Sequence, residues 1–119
     1  MGAAHLSGKQ AQGRDWEQAA LRYLRRHGLV LIEANFTCKG GEIDLVMRDG
    51  ESLVFVEVRQ RADRRHGGAA ASITPSKIRR IVRAAQVYLQ RLPALPPCRF
   101  DVVAIDGEEL DWLRDAIQV

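Results

Sequence analysis

The stretch "GGEIDLVMRDGESLVFVEVRQR", Gly40 to Arg61, decides the fold. Two apolar runs flank Asp49-Gly50, a dipeptide that favours a tight hairpin. "EIDLVMR", residues 42–48, reads as one strand. "SLVFVEV", residues 52–58, is almost continuously apolar, as expected of a central strand covered on both faces. Two carboxylates interrupt these strands, Asp44 in the first and Glu57 in the second, and Arg59 follows Glu57 two places on. With Asp49-Gly50 as the turn, Arg48 faces Glu51 and Asp44 faces Phe55. Side chains alternate along a strand, so Phe55, Glu57, Arg59 and Asp44 share one face. That register puts Asp44 diagonal to Glu57, about 7–8 Å away.

Outward from the hairpin, the elements follow in order. Residues 14–27 form a helix with Trp16, Ala20, Tyr23 and Leu24 on one stripe, stopped by Gly28. "LVLIEANF", residues 29–36, is a strand. After the hairpin, "RQRADRRHGGAAAS" carries charge, glycine and alanine without apolar period and reads as a loop. Thr74-Pro75 opens a second helix, with Thr74 as cap and Pro75 in the first position. Ile78, Ile81, Val82, Ala85 and Leu89 give its apolar stripe; Arg79, Arg83, Gln86 and Gln90 give its polar side. "LPALPP" ends it. "RFDVVAI", residues 99–105, is a further strand, Asp106-Gly107 turns the chain, and "LDWLRDAIQV" is either a short strand or a helical turn. A strand–helix–strand passage implies a right-handed parallel crossover, and short turns imply antiparallel neighbours. The expected architecture is an α/β domain with an α-β-β-β-α-β core, a mixed central sheet and helices on both faces. Residues 1–12 are expected as a flexible polar leader and 13–119 as one domain.

The chain of 119 residues carries a net charge of +3. That charge is unevenly spread. From Arg59 to Arg91 there are nine basic residues and one acid, a net +8, while the rest holds nine basic and fourteen acidic residues, a net −5. A basic segment in an otherwise acidic domain points to a polyanion. No apolar run is long enough for a membrane span or a secretory signal, so a cytoplasmic protein is expected. Cys38 and Cys98 have no partner histidine at metal spacing, which argues against zinc; both are expected as free thiols.

Either carboxylate alone reads as a solvated strand end. Both on one face of a buried sheet repel each other and lose solvation, and a divalent cation would resolve both costs. Oxygen ligands suit Mg2+ or Mn2+. A cation beside carboxylates and a basic side chain is the apparatus of phosphoryl chemistry.

This pattern resembles the PD-(D/E)XK, or restriction-endonuclease-like, nucleases, and within them the small bacterial YraN proteins related to Holliday junction resolvases. The matching pieces are "GRDWEQAALRYLRRHG", "GGEIDLVMRDGESLVFVEVRQR", "PSKIRRIVRAAQVYL" and "RFDVVAI", from Gly13 to Ile105. The resemblance implies a Mg2+- or Mn2+-dependent endonuclease acting on DNA, double-stranded, branched or damaged. Asp44 and Glu57 would be the metal ligands beside the Val58 carbonyl, and Glu17 would match the first-helix acid of the resolvase-like branch. A dimer is a candidate assembly, because resolvases use two active sites. Arg59 departs from the motif, which expects lysine: arginine keeps the charge but is larger, planar and always protonated. Lys77, in the first turn of the second helix, is the substitute in reach. Arg61, Arg64 and Arg65 on the loop and Arg79, Arg80 and Arg83 on the helix are the expected contacts to the nucleic-acid backbone. Two alternatives stand beside this reading. One is a non-catalytic nucleic-acid-binding module of the same fold. The other is a protein-interaction domain whose basic helix binds an acidic partner.

Overall fold

The computed structural model describes residues 9–61 and 73–118, with side chains described for 15–60 and 73–118. The elements are α1 (Lys9–Arg26), β1 (Val30–Cys38), β2 (Gly41–Asp49), β3 (Ser52–Arg61), α2 (Pro75–Leu89), β4 (Cys98–Asp106) and β5 (Glu109–Leu113). They form one five-stranded sheet in the order β1-β2-β3-β4-β5. The first three strands are antiparallel neighbours, β3 and β4 run parallel, and β5 returns antiparallel to β4. This is the expected α-β-β-β-α-β core with one strand added, and the ambiguous C-terminal stretch resolves as β5. The first helix begins at Lys9, five residues before the Arg14 expected, inside what read as leader.

Apolar periodicity puts one helix on each face. Ala20 and Leu24 of α1 are buried with Leu45, Met47, Val54, Val56, Val103 and Ile105. Ile81, Ala84, Ala85 and Tyr88 of α2 are buried on the opposite face with Val46, Leu53, Phe55, Phe100 and Val102. The alternation along β2 and β3 therefore feeds two cores, which is why β3 reads as a continuous apolar run.

The helix ends follow their sequence signals. Gly28 takes φ 93°, and the Gly28 and Leu29 amides donate to the carbonyls of Arg25 and Leu24 at 3.0 and 3.1 Å, closing α1 with a Schellman motif. Thr74 caps α2, its hydroxyl accepting from the Lys77 amide at 3.1 Å, and Pro75 begins the helix. Gly41 sets how closely α2 meets the sheet. A β-carbon there would lie 2.2 Å from the Arg80 carbonyl oxygen and 2.9 Å from the Ala84 nitrogen. The missing side chain lets helix and strand backbones touch.

The hairpin register differs from the expected one. Asp49 pairs with Ser52 and Leu45 with Val56, so Gly50 and Glu51 are the central pair. Gly50 takes φ 62° while Glu51 does not, the pattern of a II′ turn with glycine first. The pairing slips by two places relative to an Asp-Gly turn. A slip of two preserves faces, so Asp44 and Glu57 still share one, and the register carried one place beyond Leu45–Val56 sets them opposite rather than diagonal. The Asp106-Gly107 turn behaves alike: Asp106 pairs with Glu109 and Gly107 takes φ 64°.

Candidate active site

Glu57 sits in the central strand of a sheet covered on both faces and is only 2% exposed. It belongs to the α2 side, in alternation with Leu53 and Phe55. Asp44 comes beside it from β2 and accepts a hydrogen bond from the Val58 amide at 2.8 Å. The structure thus ties Asp44 to the residue after Glu57 through the amide, where the resemblance pointed to the carbonyl.

Two cations approach the same oxygen of Glu57. Lys77 Nζ lies 3.7 Å from Oε2 and Arg59 Nη1 lies 3.6 Å from it. Neither distance is that of a hydrogen bond. The other oxygen, Oε1, is buried with no hydrogen-bond partner. Burial, and next the charge of Asp44, push the Glu57 carboxyl up to about 8. Burial likewise raises Asp44, against the Val58 hydrogen bond that pulls it down. At neutral pH this pair holds a proton that solvated carboxylates would release.

Lys77 is held from the other side. Its Nζ donates to Glu42 Oε2 at 2.9 Å, and Arg80 Nη2 donates to Glu42 Oε1 at 3.5 Å. Burial opposes the charge on Lys77, but the Glu42 hydrogen bond and the charges of Glu57, Glu42 and Asp44 outweigh it, and its pKa is raised. Lys77 is therefore a permanent ammonium, suited to stabilising negative charge and not to taking a proton. The Lys77 hydrogen bond holds the Glu42 carboxyl below its ordinary range.

These groups open onto a cavity of about 270 Å³ lined by Trp16, Glu17, Asp44, Glu57, Val58, Arg59, Gln60 and Lys77. It lies where α1, the ends of β2 and β3, and the first turn of α2 converge. The structure brings together Glu17, Asp44, Glu57, Arg59 and Lys77. Arg79, Arg80 and Arg83 lie exposed on α2. Arg64 and Arg65 lie outside the described residues, as does the side chain of Arg61.

The fit to a divalent cation rests on the buried, partnerless Glu57 oxygen beside a second carboxylate whose proton affinity is also raised. Among the described residues no group of three or more His, Cys, Asp or Glu could hold a metal. Two carboxylates suit Mg2+, which keeps several waters and leans on substrate phosphates. Cys38 and Cys98 are free thiols, and among the described residues no helix is long and apolar enough to cross a membrane.

Reasoning on the sequence missed Glu42. The signal was alternation: Glu42 and Asp44 are two apart in one strand and point the same way, toward the helix that carries Lys77.

Fold and site together define a small α/β protein with a carboxylate pair and two cations at one end of a mixed sheet. The chain belongs to the UPF0102 family, whose profile, described as "Uncharacterised protein family UPF0102", matches residues 16–105. A UPF0102 protein of Herminiimonas arsenicoxydans is 61% identical over 92% of this chain and 89% of its own length. One of Janthinobacterium sp. (strain Marseille) is 57% identical over 92% and 89%. One of Cupriavidus taiwanensis is 60% identical over 91% and 83%.

Proposed function

We propose that this chain is a Mg2+- or Mn2+-dependent endonuclease of the PD-(D/E)XK type, acting on phosphodiesters of double-stranded, branched or damaged DNA. The observation that carries the reading is the Asp44–Glu57 pair: Glu57 is buried with a partnerless oxygen, Asp44 is half-buried beside it, and both are raised in proton affinity. A structural acid at that depth would be fully hydrogen-bonded. Asp44 and Glu57 would hold the cation, which when bound neutralises charge on the phosphate and acidifies a water. Loading requires the pair to release its shared proton, so binding tightens as pH rises toward about 8. Lys77, kept charged by its neighbours, stabilises the negative charge that develops on the phosphate oxygens. Arg59 adds charge at the same carboxylate oxygen, and Glu17 lines the cavity from α1. Arg79, Arg80 and Arg83 would contact the backbone without reading sequence.

One observation favours the binding module as a second reading: Arg59 stands where the motif carries lysine. The two readings part on cleavage. The test is nuclease assay on linear, single-stranded and four-way-junction DNA with Mg2+ or Mn2+, alongside calorimetric titration with Mn2+. The expected result is metal-dependent cutting and one Mn2+ site, both lost in Asp44→Asn. DNA affinity that falls with salt at a log–log slope of about −0.9 per phosphate neutralised, without cutting, would leave the binding module standing. Salt-independent affinity would remove nucleic acid altogether.

A further inference from the structure

Lys77 is claimed by two carboxylates of different character. Glu57 is buried and belongs to the proposed cation pair. Glu42 is 42% exposed, lies outside that pair and makes the closer contact, 2.9 Å against 3.7 Å. The difference matters once a divalent cation is loaded. A cation held there would neutralise Asp44 and Glu57 and repel the Lys77 ammonium, removing the attraction that draws Lys77 toward Glu57. A lysine on a flexible four-carbon stem would then turn to solvent. Glu42 remains as a partner, its 2.9 Å contact with Lys77 being made outside the pair.

The meeting of Glu42 and Lys77 is built into the backbone. Gly41 seats the start of β2 directly on α2 at Arg80 and Ala84, which fixes Glu42 one residue on. The Thr74 cap fixes the first turn of α2 at the amide of Lys77 itself. Both ends of the ion pair are thus anchored on rigid elements within one residue of a close backbone contact, which limits the side-chain entropy lost in holding it.

We propose that Glu42 is a positioning residue, which retains the Lys77 ammonium beside the scissile phosphate while a cation occupies Asp44 and Glu57. The proposal rests on the nuclease reading above. Glu42 does not bind the cation, and it acts only through Lys77.

The experiment compares the full chain with Glu42→Gln, Glu42→Asp and Glu33→Gln. Glu33→Gln is a control that removes an equal charge at a site facing Arg91. Cleavage is measured with Mn2+, cation affinity by calorimetry, and the Lys77 ammonium by its 1H–15N resonance in Mg2+. In Glu42→Gln, kcat is expected to fall at least about tenfold, equal to about 1.4 kcal/mol, while KM and Mn2+ affinity hold. Glu42→Asp restores part of the loss and Glu33→Gln behaves as the parent. The Lys77 ammonium signal, hydrogen-bonded and slow to exchange in the parent, vanishes in Glu42→Gln. A parent that cuts and a Glu42→Gln variant that cuts equally well would overturn this inference and leave the nuclease reading intact. Loss of Mn2+ affinity together with kcat would overturn it too, making Glu42 a ligand. So would a Lys77 signal that survives without Glu42. A parent that cuts none of the DNA substrates would remove the nuclease reading and this inference with it.

Discussion

Asp101 and Glu57 are both buried acids on neighbouring central strands, and they could hardly be treated more differently. Asp101 is fully buried and fully satisfied. Arg99 Nε donates to its two oxygens at 2.9 and 3.2 Å, Trp112 Nε1 donates at 2.9 Å, and the Asp115 amide donates at 2.9 Å. Arg99 also reaches Asp49 at 3.0 Å, so one acid ties β4 to the β2 hairpin, to β5 and to the C-terminal segment. Glu57 has two cations beyond hydrogen-bond reach and an oxygen with nothing. Leaving one oxygen of a buried carboxyl without a partner is costly, and a fold that satisfies Asp101 so completely has the means to satisfy Glu57. The contrast separates an acid that holds the sheet together from one that the proposed function makes a cation ligand.

The sharpest way to break this contrast is to remove each acid in turn. Asp101→Ala strands Arg99 and the Trp112 N–H and is expected to cost roughly 3–5 kcal/mol, the range for breaking a buried ionic network. Glu57→Ala is expected to cost far less, since it also relieves the repulsion with Asp44. Urea unfolding of both variants measures the difference through the midpoint at constant slope. Equal losses would make Glu57 a structural acid after all.

A subtler test uses pH. The Glu57 carboxyl is raised from 4.5 to about 8 by burial and by the charge of Asp44. Below 4.5 it is protonated folded and unfolded alike. Between 4.5 and about 8 the unfolded chain gives up the proton while the folded chain keeps it, so stability falls as pH rises and levels off above about 8. Asp44, raised in the same sense, adds to the fall. Glu57→Gln is expected to flatten most of this slope, leaving the variant more stable than the parent at about pH 9 and similar at about pH 4. A parent whose urea midpoint is flat across that window would show that the carboxyl is already paired with a cation and not poised for one.

The sequence made the fold legible because its signals are local and independent: the Thr74-Pro75 start, the Gly28 stop, two periods of apolar residues and one crossover. The site was legible where it rests on parity. Asp44 and Glu57 share a face under either register, because the error was an even number of places. It was illegible where it rests on distance. Asp-Gly and Gly-Glu are both workable turn pairs, and only the packed sheet selects the second. Glu42 escaped for a related reason. Alternation gives its face, but its meeting with Lys77 depends on α2 crossing β2 closely at Gly41, and no periodicity in either element records that contact. In the sequence Asp101 reads simply as part of a strand, since two of its partners come from residues 112 and 115, which only the return of the chain through β5 brings to it.

The smallest expected effect concerns the two cations themselves. Arg59 stands where the nuclease motif that the sequence resembles has lysine, yet Lys77 reaches the same Glu57 oxygen at nearly the same distance, 3.7 Å against 3.6 Å. Lys77 is also the one whose ammonium is fixed by a short hydrogen bond to Glu42. If the compact, adaptable charge is already supplied from α2, changing Arg59 to lysine only replaces one cation by another. Arg59→Lys is therefore expected to change kcat by less than about threefold, under 0.7 kcal/mol, and to leave DNA affinity as it was. Lys77→Ala, by contrast, removes the ammonium and should abolish cleavage while sparing Mn2+ binding. Single-turnover assays on both variants decide between the two positions. A gain of about tenfold in Arg59→Lys would mean that the motif position still governs the reaction and that Lys77 serves only to balance charge.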